Sequence, residues 1–168
     1  MITERQQNWI DHHEEYVQHE ETYRFPEFDR DDVWELGCDL VESNKDFPKQ
    51  VAMEIYIGNT QMFRFIPGRC GIAQELWLNK KRNTVLAMGK SSVRVAAEIA
   101  MQEKEIQDVI PGFPNGEDYA GVGGGFPLQT KDGVLFGTIC VSGLPDTQDH
   151  ALIVGALERF FRRKGWIN

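Results

Sequence analysis

The chain has 168 residues, 41% of them hydrophobic and 26% charged, and a formal net charge of −8 at pH 7. A chain of this length buries about 70% of its unfolded surface, so we expect a single domain over residues 1–168. No segment reaches the roughly 18 apolar residues of a membrane helix, and the first residues lack a signal-peptide pattern, so we expect a cytoplasmic protein. The three cysteines form no Cys-x-x-Cys pair, which argues against a zinc ribbon, and the acidic net charge argues against nucleic-acid binding.

Residues 1–28 predict an N-terminal helical extension to a core at residues 29–163. Thr3 and Gln6 have the spacing of a capping box, which predicts that a helix begins there. Apolar and aromatic side chains then recur at helical spacing with acidic residues opposite them, which is typical of a surface helix with a narrow apolar stripe. This N-terminal stripe consists of Trp9, Ile10, His13, Tyr16 and Val17.

A second helix and a β-hairpin follow the extension. Residues 33–41 carry apolar side chains at i, i+3, i+4 and i+7, so a helix that begins near Asp29 has a defined core face. Residues 51–57 alternate in hydrophobicity, and a second such run occupies 60–66. Because only Gly58-Asn59 separates the two runs, they predict a hairpin.

The second half of the chain predicts a long helical stretch, a loop, a second hairpin and a last helix. Residues 71–104 have helical periodicity with a break between Gly89 and Ser92, and the Pro- and Gly-rich residues 110–114 predict a loop. Two β-rich runs then meet at Asp132-Gly133, which predicts a second hairpin. Two hairpins flanked by helices indicate an α+β fold with a mainly antiparallel sheet.

A cluster of glycines occupies residues 121–125. A phosphate-binding loop is not indicated, because Pro127 and a strand follow the glycines where such a loop needs a helix. Two interpretations remain: a bulged strand with close backbone packing, or a wall at which a flat ligand lies against bare backbone.

The segment 142–150 joins the end of a strand to a helix that runs through Phe161. Asp146 or Thr147 is a candidate N-cap. His150 lies in the first turn, where the helix dipole disfavours the cationic imidazole and lowers its pKa. Since a neutral imidazole binds metals and heme iron, His150 is the candidate metal ligand. The alternative is that His150 only forms a hydrogen bond with the helix cap.

The first helix carries its own group of histidines. Glu15 and His19 are four residues apart and share a helix face, so they could contact a divalent cation. Two ligands on one exposed helix do not complete a metal site, and a polar helix face is the favoured interpretation.

Residues 123–128, 132–143 and 144–150 resemble the C-terminal signature of the heme-degrading-domain family. That family includes GlcG-like proteins and the domain appended to some corrinoid adenosyltransferases, and the ending Leu144-Pro-x-x-x-Asp-His150 is most similar to its uncharacterised UPF-type branch. The resemblance implies a profilin-like, three-layer α/β/α fold with a mainly antiparallel five-stranded sheet, homo-oligomers, and heme or another tetrapyrrole as ligand in some members. Ser142, Gly143 and six further positions match the signature, and these six are the candidate cofactor-binding residues: Gly123, Gly124, Gly125, Pro127, Asp149 and His150.

We therefore expect a small-molecule-binding module for heme or a related tetrapyrrole, with no catalytic residue identified. One alternative is an oligomeric adaptor that binds other proteins. It is motivated by the N-terminal stripe and by charge segregation, since residues 1–54 hold 15 acidic and 5 basic residues whereas residues 55–104 hold 3 and 8. Another alternative is an oxidative heme-degrading enzyme, but the sequence shows no flavin or nicotinamide motif to supply a reductant.

Overall fold

The computed structural model describes residues 1–110 and 116–168. The loop predicted at residues 110–114 therefore lies, apart from Ile110, outside the described residues. In the described ranges the chain forms an α+β structure with seven α-helices and one four-stranded antiparallel sheet. The helices are α1 Glu4–Asp11, α2 His13–Thr22, α3 Arg30–Asn44, α4 Ile72–Met88, α5 Ser92–Met101, α6 Ile106–Val109 and α7 Asp146–Arg163. The strands are β1 Ala52–Ile57, β2 Thr60–Phe65, β3 Gly125–Gln129 and β4 Leu135–Ser142.

The sheet has the strand order β2-β1-β4-β3, and both predicted hairpins are confirmed. The expected five strands are not confirmed, because the described residues form four. In the place of a fifth strand, Phe25 makes a single parallel bridge with Thr130, and its backbone N–H donates to Gln129 O at 2.8 Å. The bridge is isolated and does not extend into a further ladder.

Helices cover both faces of the sheet, as expected for three layers. Met53 and Ile55 of β1 belong to the large core cluster formed with α3 and α7. The alternate residue Ala52 packs instead with Cys140 of β4 and Leu78 of α4. This alternation follows from the period of two in a strand, and it brings α4 and α7 to the sheet from opposite sides.

The N-terminal extension forms two helices that meet at His12, where the sequence analysis expected one. The predicted capping box at Thr3 and Gln6 is confirmed. Trp9 and Tyr16 of the N-terminal stripe are buried against α5, in a cluster with Val93, Ala96, Ala97 and Ala100. The aromatic residues of the stripe, on which the adaptor alternative relied, are thus covered by the chain itself.

None of the helices in residues 1–110 and 116–168 combines the length and hydropathy needed to cross a membrane. The cytoplasmic location stays a prediction.

Candidate functional site

Two histidines that the sequence analysis treated as separate candidates lie side by side. His19 near the end of α2 and His150 in the first turn of α7 place Nδ1 of the former 3.0 Å from Nε2 of the latter. This separation is that of an imidazole–imidazole hydrogen bond, in which either ring can donate. We call the two residues the histidine pair.

His150 is the buried member of the histidine pair. It is 2% exposed, and the rings of Tyr16 and Phe126 pack around it at centroid distances of 5.2 and 6.0 Å. Burial lowers the pKa of its imidazole to about 3, and the nearby His19 adds to the decrease. The expected neutral imidazole is therefore present, although burial rather than the helix dipole is the main cause. Nδ1 of His150 is buried and has no hydrogen-bond partner among the described residues.

His19 is the accessible member of the pair. Burial lowers its pKa, and the adjacent Glu15 carboxylate opposes that decrease. Its Nε2 lies 3.7 Å from Glu15 Oε1, on a groove of about 340 Å³ between the N-terminal extension and α7. Asn8, His12, Tyr16, Ala151 and Val154 also line this groove, called the histidine groove below.

The histidine groove is not a preformed site for a bare metal ion. Among the described residues, no three His, Cys, Asp or Glu side chains lie close enough together to hold one. Nδ1 of His12 is hydrogen-bonded to the carbonyl oxygen of Asn8 at 2.8 Å, so this nitrogen is not available to the histidine pair. The groove offers one neutral imidazole, that of His19, whose Nδ1 is hydrogen-bonded to the imidazole of His150.

Asp149 lies at a different site, on the opposite side of the start of α7. Its Oδ2 accepts a hydrogen bond from Lys81 Nζ at 3.0 Å, and its Oδ1 accepts one from Leu144 N at 3.1 Å. Burial raises the pKa of Asp149, whereas Lys81 and the backbone N–H groups of Gly143 and Leu144 oppose the increase. This ion pair lies at a cleft of about 530 Å³, which Trp77 and Ser142 also line.

The glycine cluster packs against the chain itself. A side chain on Gly123 would collide with the carbonyl group of Asp146, and one on Gly124 would lie 2.6 Å from Lys81 Nζ. Gly125 donates its N–H to Ser92 Oγ at 2.8 Å, and Pro127 is buried in the edge strand β3. This arrangement corresponds to the close-packing interpretation, and the ligand wall stays a prediction without support from these contacts.

The predicted N-cap of α7 was wrong. The helix begins at Asp146, and Pro145 occupies the N-cap position without a side-chain cap. The Asp146 carboxylate instead accepts hydrogen bonds from Trp9 Nε1 at 2.9 Å and Gly123 N at 3.0 Å. Asp146 therefore joins the N-terminal extension to the glycine segment.

Sequence reasoning missed Lys81, which is 3% exposed. Its position carried a usable signal, because it follows Leu78 by three residues and precedes Val85 by four, and both of these are fully buried. A lysine on the apolar stripe of a helix needs a buried partner, and the partner is an acid on another element.

Comparisons with known proteins agree on one family. The family model described as "Haem degrading protein HbpS-like" matches residues 28–158. A UPF0303 protein of Psychromonas ingrahamii is 31% identical over 138 residues, which cover 82% of this chain and 86% of the relative. One of Streptomyces avermitilis is 35% identical over 139 residues, covering 82% and 83%.

Solved structures share the fold. The Ybr137w protein superposes with a TM-score of 0.78 at 22% identity and covers 98% of both chains. PduOC, solved as a complex with heme, has a TM-score of 0.63 at 19% identity and covers 78% of this chain and 93% of its own. At these identities the structures establish the architecture alone.

Proposed function

The chain belongs to the haem-degrading HbpS-like family, and from that premise we propose that it binds heme or a related tetrapyrrole in the histidine groove. The family resemblance noted in the sequence is thereby confirmed. The heme complex of PduOC supports the choice of ligand, since that protein shares the fold. The observation that carries the proposal is the histidine pair, because it offers a neutral imidazole at an open groove.

In the proposal, the iron ligand is His19 rather than His150. Nε2 of His150 is engaged with His19, its Nδ1 is buried, and the residue is 2% exposed. Nε2 of His19 borders the groove, and its Nδ1 has an acceptor in the neutral His150. Histidines that bind metals commonly have their second ring nitrogen held in this way, which fixes the ring and the tautomer.

The donor set fits a heme iron, but one chain covers only part of a porphyrin. The porphyrin supplies four nitrogen ligands, so a single imidazole is sufficient, as it is for proximal histidines. The groove of about 340 Å³ is at the small end of ligand pockets, and no Lys or Arg lines it in the described part of the chain. We infer that the propionates extend into solvent and that a second copy of the chain covers the exposed face.

The test is a hemin titration followed by the Soret band, with native mass spectrometry to give the stoichiometry. We expect saturable binding by the wild type and loss of the ligand-dependent Soret shift in His19→Ala. His150→Phe removes the acceptor of His19 Nδ1 and should weaken binding by roughly tenfold to a hundredfold, as for other partners of metal ligands. His150→Gln supplies an amide oxygen as a new acceptor and should restore part of the affinity.

His12→Ala is the matched control, because it removes an exposed imidazole from the same groove without touching the histidine pair. Its Soret band should equal that of the wild type. An unchanged spectrum in His19→Ala would assign the iron to another ligand and overturn the proposed site.

A further inference from the structure

We propose that the cleft at Lys81 and Asp149 is a second binding site, separate from the histidine groove, for a small aromatic carboxylate. The cleft has a volume of about 530 Å³, within the range of small-molecule pockets, and its lining shares no residue with that of the groove. Heme binding through His19 assigns no role to this cleft.

The hydrogen-bonding capacity left in the cleft consists of donors. Lys81 Nζ donates to Val141 O at 2.9 Å and to Asp149 at 3.0 Å, so the third N–H of its ammonium has no partner among the described residues. Gln74 uses its Oε1 to accept from Gly71 N at 2.8 Å, which leaves its amide NH₂ free. Ser142, 5% exposed, forms no side-chain hydrogen bond within the described ranges.

The two carboxylates that line the cleft are already engaged. Each oxygen of Asp149 accepts a hydrogen bond, from Lys81 and from Leu144. Asp146 Oδ1 faces Arg5 at 3.1 Å, and its Oδ2 accepts from Trp9 and Gly123. A ligand that satisfies the remaining donors must therefore bring acceptors, and a carboxylate supplies acceptors that form charge-assisted hydrogen bonds with the ammonium.

The apolar residues that line the cleft are suited to contact with a planar apolar group. Trp77 lines the cleft and is 45% exposed, with Lys80 Nζ 5.4 Å from the centroid of its ring. Val122, Leu144 and Pro145 provide further apolar surface. An aromatic ring can stack on the indole face while its carboxylate reaches the donors. The same chemistry is present in a free aromatic acid and in the propionate edge of a porphyrin.

The test uses isothermal titration calorimetry with 1-naphthoate, its neutral analogue 1-naphthamide, and metal-free protoporphyrin IX as separate probes. We expect 1-naphthoate to bind one per chain and the amide at least about tenfold more weakly, because only the ionised acid forms an ion pair with the Lys81 ammonium. Gln74→Glu keeps the acceptor for Gly71 N but replaces the donor with a negative charge, and it should weaken naphthoate about tenfold. Trp77→Leu should weaken naphthoate about fivefold through loss of stacking.

Two matched controls carry the same changes outside the cleft. Gln61→Glu adds the same charge on β2 and keeps the oxygen that accepts from Arg64, and Trp34→Leu removes an indole that is 69% exposed on α3. Both should bind naphthoate like the wild type. Lys81 is left intact, because removing it would strand a buried carboxylate and endanger the fold.

Saturable naphthoate binding that weakens in Gln74→Glu and Trp77→Leu, but in neither control, supports a site for a free aromatic acid. If only protoporphyrin IX binds, with the same sensitivity, the carboxylate recognised is a porphyrin propionate and the site is still supported. If neither probe binds, or if the affinity is the same in the wild type and in both cleft variants, the inference is wrong.

Discussion

Burial of His150 disfavours the protonated form of its imidazole and leaves the neutral form. Its environment of Tyr16, Phe126 and His19 offers no counter-charge, so the cationic imidazole is strongly disfavoured. The neutral ring is what allows it to accept a hydrogen bond from His19. The same burial links the stability of the fold to pH.

We expect acid to destabilise the wild type through His150. The folded-state pKa of about 3 lies below the unfolded value of 6.5, so the unfolded chain binds more protons between these values. The contribution of the neutral His150 to the free energy of unfolding is therefore complete above about pH 6.5 and is lost as the pH falls toward 3. Relative to His150→Gln, the free energy of unfolding should fall by about 2 kcal/mol between pH 6 and pH 4.

Urea unfolding of the wild type and His150→Gln at several pH values measures this difference. The carboxylates that both proteins share contribute equally to the pH dependence, so their contribution cancels in the comparison. Parallel stability curves for wild type and His150→Gln would show that His150 is accessible to protons in the folded state.

At the residue scale, the sequence identified His150 and His19 but not their contact. Each lies on a helix whose periodicity was readable, but they are 131 positions apart in the sequence, so no local pattern determines the pairing. The N-cap of α7 was wrong for the same reason, since Asp146 is drawn to Trp9 and Gly123 by the tertiary fold.

At the scale of elements, α2 supplies the cap that α5 lacks. The N-cap residue Ser91 makes no side-chain cap, and its backbone N–H instead donates to Glu20 Oε1 at 2.5 Å. Glu20 Oε2 accepts from Arg94 Nη1 at 2.8 Å, and Glu20 is 4% exposed. One buried carboxylate thus fastens the N-terminal extension to the start of α5.

Glu20→Ala should lower the free energy of unfolding by about 3 kcal/mol, because it strands a buried N–H and removes the partner of Arg94. The neighbouring exposed Glu21→Ala is the control and should change it by less than about 0.5 kcal/mol. Urea midpoints at pH 7 give both values. Equal midpoints for the two variants would contradict the capping role.

The order and kind of the elements were predictable because each carries its own signal. Gly58 and Gly133 mark the hairpin turns with positive φ values of +56° and +84°, and the helix break at Gly89 has φ +64°. The division of the first helix at His12 had no such signal, since neither Gly nor Pro is present there. The fifth strand came from the family resemblance, and only the single bridge between Phe25 and Thr130 stands in its place among the described residues.

At the scale of the whole molecule, the N-terminal extension packs as part of the core. It buries Trp9 and Tyr16 against α5 and places His19 over His150. Deletion of residues 1–24 tests the adaptor alternative cleanly only if the rest of the chain stays folded without the extension. The packing indicates the opposite.

Deleting residues 1–24 should lower the free energy of unfolding by at least about 3 kcal/mol, since it uncovers the apolar face of α5 and leaves His150 without His19. Substituting the exposed Glu14 and Gln18 with alanine is the control and should leave the urea midpoint nearly unchanged. A truncated chain of full stability that has lost a co-purifying protein would instead favour the adaptor.

The attachment of the extension also has a consequence for synthesis on the ribosome. The hydrogen-bond partners of Trp9 and His19 are Asp146 and His150, which lie 137 and 131 residues later. Helices α1 and α2 emerge first, yet they cannot reach these partners until α7 has been translated. Helix α5 can cover the aromatic side chains earlier, but the indole N–H of Trp9 has no Asp146 to bind, and the histidine pair does not form, until α7 docks.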